Sequence, residues 1–157
     1  MALIQFLPMT DLQHEAEVLE MMRGLYSEDA PALPVDSQQS RQVIRTLVEH
    51  PDRGRVILFV EDATIHGYAI LIPYLSNEFG GTVLFVDEIF VNPLMRGNGI
   101  ARHFFELIGR ERPFDAIALA LEVSPTNLRA RRFYESIGFG HRKTSMLVRR
   151  LDQIAER

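Results

Sequence analysis

The sequence predicts an α/β (α+β) domain built on a mixed central sheet of about six strands, with helices on both faces. Three observations carry this. Short apolar runs rich in β-formers alternate with amphipathic windows in the order β-α-α-β-β-β-α-β-α-β. Three strands in succession followed by β-α-β imply antiparallel pairing first, then a parallel pair flanking the third helix. A chain of 157 residues with no repeat, low-complexity run or composition shift fits one domain over 1–157.

In order, residues 2–7 read as a first strand ended by Pro8. Thr10-Asp11-Leu12-Gln13 has the form of a capping box and opens a helix whose apolar stripe is Leu12, Ala16, Leu19, Met22 and Tyr26. Pro31 and Pro34 end it in a loop. Asp36 or Ser37 caps a second helix to about His50, with Val43, Ile44, Leu47 and Val48 buried. Two β-rich runs, 56–60 and 65–74, meet at Asp62-Ala63 and form a hairpin. A strand over 82–91 leads through Asn92-Pro93 to a third helix, about 99–112, burying Phe104, Leu107 and Ile108. The apolar run 116–121 reads as a strand covered on both faces. A fourth helix starts at Ser124-Pro125-Thr126-Asn127 and is ended by Gly138, and a last strand spans 139–150.

Composition narrows the chemistry. Zero cysteines exclude a disulfide framework, a thiolate metal site and a cysteine nucleophile. The five histidines are scattered without ligand spacing, so no metal is expected. Residues 1–7 lack the features of a signal peptide, and no apolar run approaches the roughly 20 residues of a membrane span. A cytoplasmic protein that binds neither membrane nor nucleic acid is expected. The net charge of -4 leans towards cationic small molecules.

The chemistry concentrates in D-E-I-F-V-N-P-L-M-R-G-N-G-I-A, residues 87–101. Two adjacent carboxylates, Asp87 and Glu88, interrupt an apolar strand, and a glycine-rich turn then delivers the chain to a helix N-terminus. Such a turn offers unpaired N–H groups and the positive end of a helix dipole, a site for a phosphate. G-x-x-x-x-G-K-[ST] is absent, and Gly97-x-Gly99 lacks the third glycine of a dinucleotide fingerprint. Alone, the turn is either an anion site or a structural turn.

With N-L-R-A-R-R-F-Y-E-S-I-G-F downstream, the pattern resembles the GNAT superfamily of N-acetyltransferases. Arg96, Gly99 and Ala101 meet its acyl-CoA signature [Q/R]-x-x-G-x-[G/A]. Asn127, Ala130, Phe133, Tyr134, Gly138 and Phe139 meet its second signature. The resemblance is strong over about 56–147 and loose over the first two helices. It implies the GNAT fold and acetyl-CoA as co-substrate. The backbone N–H groups of Arg96, Gly97, Asn98, Gly99, Ile100 and Ala101 would hold the CoA pyrophosphate. Phe90 and Val91 would pair with the pantetheine arm where the family's sheet splays open. Asn127 would hydrogen-bond that arm, and Tyr134 would sit by the sulfur. Arg129, Arg131 and Arg132 either meet CoA phosphates or solvate a helix face.

Acetyl transfer needs a group to take the amine's proton, since an alkyl amine is protonated at neutral pH. Asp87 and Glu88 are the candidates: charge inside an apolar strand is costly to bury unpaired, and alternation sends the two to opposite faces. The segment is similar to E-D-x-x-V of the polyamine-acetyltransferase branch, whose glutamate nine residues before the arginine serves as base. Asp87 occupies that position and Glu88 the next, an inverted order that leaves the base open between them. Tyr134, a phenol of pKa near 10, is the candidate acid for the departing thiolate. Glu122, ending the apolar run, either lies in the cleft or pairs with an arginine.

Acids in the last turn of a helix oppose its dipole, and Glu28 and Asp29 end the first helix. In the family the first two helices wall the acceptor, so Tyr26, Glu28 and Asp29 would recognise a cationic amine. The expectation is a direct N-acetyltransferase acting on a primary amine of a small cationic molecule. Two alternatives stand beside it: an acetyltransferase of protein amines, and a catalytically silent acyl-CoA-binding regulatory module. Relatives often dimerise, making a homodimer possible, but no residues identify an interface.

Overall fold

The computed structural model describes residues 3–152. They fall into two compact units, one ending at Ser124 and one beginning at Pro125. The first holds a five-stranded sheet in the order β1 (Gln5–Pro8), β2 (Arg55–Glu61), β3 (Thr64–Ser76), β4 (Gly81–Val91) and β5 (Ala118–Ala120). Neighbours from β1 to β4 are antiparallel, and β4 and β5 are parallel, as the strand order required. Three helices accompany the sheet: α1 (Glu15–Glu28), α2 (Ser37–Glu49) and α3 (Ile100–Glu111).

The sheet is sandwiched. Val56 and Leu58 of β2, Tyr68 and Ile70 of β3, and Phe90 of β4 pack with Val18, Leu19 and Met22 of α1 and Ile44 and Leu47 of α2. The alternate residues serve α3 on the other face, where the Phe59 ring lies 4.9 Å from Phe104 and 4.9 Å from Phe6. Gly67 lets β3 and β4 approach: a Cβ there would come within 2.4 Å of the Phe90 carbonyl oxygen and 2.8 Å of the Phe59 ring.

Local signals were honoured unevenly. Asp36 caps α2, its carboxylate accepting from the Gln39 N–H at 2.8 Å while the Gln39 side chain accepts from the Asp36 N–H at 2.9 Å. Asp62 and Ala63 both take positive φ, 48° and 63°, and close the two-residue hairpin between β2 and β3. The capping box at Thr10 and Gln13 does not form. Asp11 accepts the Gln13 N–H instead, at 2.9 Å, and the helix starts at Glu15. Its buried stripe shifts accordingly: Leu12 and Ala16 are exposed, while Val18, Leu19 and Met22 are buried.

The sheet has five strands rather than six. Residues 139–150 form no strand. The run His141 to Ser145 is polar, and the short apolar stretch Met146-Leu147-Val148 is exposed without the alternation that a half-buried strand needs. The predicted strand at 116–121 is laddered only over Ala118–Ala120.

The second unit carries α4 (Leu128–Ser136). Gly138, at φ 100°, follows it and ends the helix as expected.

Candidate active site

The site begins where the sheet stops being continuous. β5 pairs with β4 only at Val83, Leu84 and Phe85, yet β4 runs on to Val91. Over residues 86–91 one edge of β4 therefore has no strand beside it among the described residues. The other edge changes register: Leu71 pairs with Val86 and Ile70 with Glu88, so Asp87 is the extra residue of a β-bulge. This bulge breaks the alternation that would have sent Asp87 and Glu88 to opposite faces.

Beyond Val91 the chain makes a tight turn. Asn92 accepts the Leu94 N–H through its side chain at 3.1 Å, and Asn98 donates to the Met95 carbonyl at 3.0 Å. Gly97 and Gly99 both adopt left-handed backbone, φ 81° and 76°. A Cβ on either would meet nothing within 4 Å, so conformation rather than crowding calls for glycine there. The first backbone bond of α3 runs from the His103 N–H to the Gly99 carbonyl, so the N–H groups from Gly97 to Ala101 precede the helical ladder. Buried Ile100 anchors the helix start, while Gly97, Asn98 and Gly99 are exposed. Open space before a row of N–H groups at a helix N-terminus suits a diphosphate.

The acids are set in phenols. Glu88 accepts a hydrogen bond from the Tyr26 hydroxyl at Oε1 and another from the Tyr68 hydroxyl at Oε2, the latter 2.7 Å long. Burial raises the Glu88 pKa above its ordinary value; the two phenols oppose that shift, and Asp87 adds to it. Both phenols are pushed well above their ordinary 10, first by burial and then by the Glu88 carboxylate. Asp87 is exposed at the bulge yet hemmed in by protein atoms. That partial desolvation, and secondly the Glu122 charge, raise its pKa as well.

Tyr68 is the site residue that the sequence reading missed. The available signal was a tyrosine amid apolar residues of a central strand, since a buried phenol needs a polar partner.

Arg96 ties the turn to α1. Its Nε donates to the Val91 carbonyl at 2.8 Å, and its Nη2 lies 2.8 Å and 3.0 Å from the Glu28 carboxylate oxygens. The guanidinium carbon stands 5.4 Å from the centroid of the Phe90 ring. That ring is buried and packs under Gly24 of α1. Asp29 follows α1, its N–H bonded to the Leu25 carbonyl at 2.9 Å.

In the second unit, Asn127 caps α4 by accepting the Ala130 N–H at 3.1 Å. The Tyr134 ring packs between Phe133 and Phe139, with centroids 5.3 Å and 5.7 Å away. Arg131 donates to the Pro125 carbonyl at 3.4 Å. Among the described residues no group of three or more His, Asp or Glu could hold a metal ion, and no helix is long and apolar enough to cross a membrane.

The family model for the GNAT acetyltransferases matches residues 17–139. The chain belongs to the GNAT family. Solved GNAT-like structures match along nearly its whole length. A possible acetyltransferase from Clostridium difficile 630 is 16% identical at TM-score 0.81, covering 95% of this chain and 98% of its own. An integron cassette protein from the mobile metagenome of Cole Harbour Salt Marsh is 26% identical at TM-score 0.76, over 94% and 90%. The aminoglycoside N-acetyltransferase AAC(6')-Iy, solved with CoA, is 19% identical at TM-score 0.72, over 96% and 97%. No curated protein matches. A GNAT fold accounts for the mixed sheet, its opening beyond Phe85 and the glycine turn. It also makes the protein an acetyltransferase by family.

Proposed function

We propose that this GNAT protein transfers the acetyl group of acetyl-CoA to a primary amine on a small cationic molecule. The observation that carries this is the pair Asp87 and Glu88 at the β4 bulge, with the Glu122 charge acting on Asp87, a few residues before the Gly97–Gly99 turn. An anionic opening favours a cation, and the cradle favours a diphosphate.

Bound acetyl-CoA supplies the activated thioester. Gly97, Asn98, Gly99, Ile100 and Ala101 would hold its pyrophosphate by backbone N–H groups, with Arg96 fixing the turn from behind. The edge of β4 at Phe90 and Val91, beyond its pairing with β5, is assigned to the amide-bearing arm, which would pair with it as an added strand would. Asn127 is assigned to that arm as well, through the family signature it completes. Tyr26, Glu28 and Asp29, at the end of α1, are assigned to the acceptor.

The amine arrives as an ammonium ion and must lose a proton before its lone pair can attack. Asp87 or Glu88 takes that proton, directly or through water. As the carbon–sulfur bond breaks, its electron pair goes to sulfur, and the Tyr134 hydroxyl is assigned the proton that neutralises it. The second proton, shed by the nitrogen as the amide forms, restores the phenol through water. No covalent enzyme intermediate is needed.

AAC(6')-Iy has also been solved with a CoA–acetylneamine bisubstrate analogue, which supports a polyamine-like or aminoglycoside-like acceptor here. The test is thiol release from acetyl-CoA across a panel of polyamines, aminoglycosides, amino acids and N-terminal peptides. Acceleration by small cationic amines is expected. Acceleration by peptides alone would move the acceptor to protein amines. Slow hydrolysis that no amine accelerates would make the protein a silent acyl-CoA sensor.

A further inference from the structure

The two carboxylates at the bulge are not equivalent, and the difference assigns a role to a residue outside both family signatures. Tyr68 has no exposed surface. Its hydroxyl therefore needs a protein partner, and Glu88 is that partner. The pairing follows from the register. Tyr68 stands opposite Phe90 and Ile70 opposite Glu88, so Tyr68 and Glu88 are diagonal neighbours on one face of the sheet. From the other side Tyr26 donates to the second oxygen of Glu88. One hydrogen-bonded set thus runs from α1 through β4 to β3. Rotating Glu88 away would leave a buried phenol without its acceptor, which fixes the carboxylate.

Asp87 is placed differently. It is the unpaired residue of the bulge, is exposed, and has no hydrogen-bond donor or cation on its carboxylate among the described residues. Glu122, after β5, is the charged group that acts on it, and that charge is negative. The groups acting on Glu88 are Tyr26 of α1, Tyr68 of β3 and Asp87 itself. A carboxylate engaged by two donors is a poorer proton acceptor than an unengaged one beside a like charge.

We propose that Tyr68 is a positioning residue of the transfer reaction, acting with Tyr26 to hold Glu88 as a fixed anion and leaving the bulged Asp87 to accept the amine proton. This rests on the acetyl-transfer reading above. The proton passes from the ammonium nitrogen to an Asp87 oxygen. The nitrogen lone pair then forms the carbon–nitrogen bond while the carbon–sulfur bond breaks with its electron pair going to sulfur. The second nitrogen proton passes through water to the sulfur side, leaving a neutral amide and a neutral thiol. Glu88, held by its two phenols, attracts the cation without taking its proton.

The test combines pH profiles of kcat/KM, with acetyl-CoA and spermidine, neamine or lysine amide as acceptor, with carbon-13 carboxyl titrations of the whole protein. Asp87→Asn is expected to lower kcat/KM by about 100-fold or more and to abolish the acidic limb of the profile. Glu88→Gln and Tyr68→Phe are expected to lower it about three- to tenfold with that limb retained. Tyr68→Phe should also move the Glu88 carboxyl titration upward, since a donor to the ionised form is lost, while moving that of Asp87 less. If Tyr68→Phe does not fold, Tyr26→Phe removes the other donor from a half-buried position and carries the same expectations.

Loss of the acidic limb in Glu88→Gln with its retention in Asp87→Asn would overturn the assignment. So would wild-type rates in both phenylalanine variants, or a Glu88 titration that neither variant moves. A Glu88 titration that responds as expected, in a protein where none of the three amines releases thiol, would instead overturn the small-amine reading on which Tyr68's role rests.

Discussion

Arg96 and Glu28, 68 residues apart in sequence, form an ion pair in which one guanidinium nitrogen contacts both carboxylate oxygens, at 2.8 Å and 3.0 Å. It fastens the last turn of the first helix to the residue that opens the glycine turn. The wall assigned to the acceptor and the turn assigned to the cofactor are thereby one mechanical piece. The acid that opposes the helix dipole has a partner that offsets that cost.

Both members of this pair are partly exposed, so its stability contribution is small. Glu28→Gln is expected to lower stability by about 0–1 kcal/mol at low salt, and the difference should shrink at high salt. Denaturant titrations at two ionic strengths check this. In the same variant, and in Asp29→Asn, the acceptor KM should rise. A change confined to acetyl-CoA affinity would remove these acids from the acceptor site.

Gly99→Ala separates fold from cofactor. The new methyl group would meet no neighbour, so the cost is the left-handed backbone alone, roughly 1–2 kcal/mol. That methyl would stand in the space assigned to the pyrophosphate. Acetyl-CoA affinity, measured calorimetrically, should fall by about tenfold or more while the protein stays folded at room temperature. Unaltered affinity would place the diphosphate elsewhere.

The carboxylates at the bulge make stability depend on pH in the direction opposite to acid denaturation. Their pKa values in the folded protein lie above the ordinary 3.8 of Asp87 and 4.5 of Glu88, chiefly through burial. The folded state therefore holds these protons more tightly than the unfolded chain. Their contribution to stability is fully present below the ordinary values and is lost as pH rises through the raised ones. Urea titrations above and below that window should show a loss with rising pH that is smaller in Asp87→Asn and Glu88→Gln. An identical pH dependence in wild type and both variants would refute it.

Tyr134→Phe is expected to reduce turnover at least about tenfold with little change in acetyl-CoA affinity, because only a proton is removed. Pre-steady-state thiol release compared with equilibrium binding gives both numbers. Turnover unchanged across the pH range would take Tyr134 out of the mechanism.

Much of the frame could be read from local chemistry. The Asp36–Gln39 box, the hairpin at Asp62-Ala63 and the passage from β4 through two glycines into α3 each depend on residues a few positions apart. What escaped depends on pairings between distant segments. Strict alternation separated Asp87 from Glu88, but one extra residue against Ile70 and Leu71 interrupts it, and that register exists only once β3 has paired. Tyr68 looked like core until Glu88 came to lie diagonally across from it. Glu28 looked like an unmatched acid because Arg96 belongs to a turn far along the chain. The expected final strand failed because its apolar residues are consecutive rather than alternating.

The open edge of β4 has a further consequence for how the protein behaves in a crowded solution. A strand with unsatisfied amides along one side is a template onto which another chain can add and seed aggregation. Here the bulge at Asp87 increases the local twist of β4, which disfavours a neighbouring strand. The irregularity of β4 thus guards against edge-to-edge association.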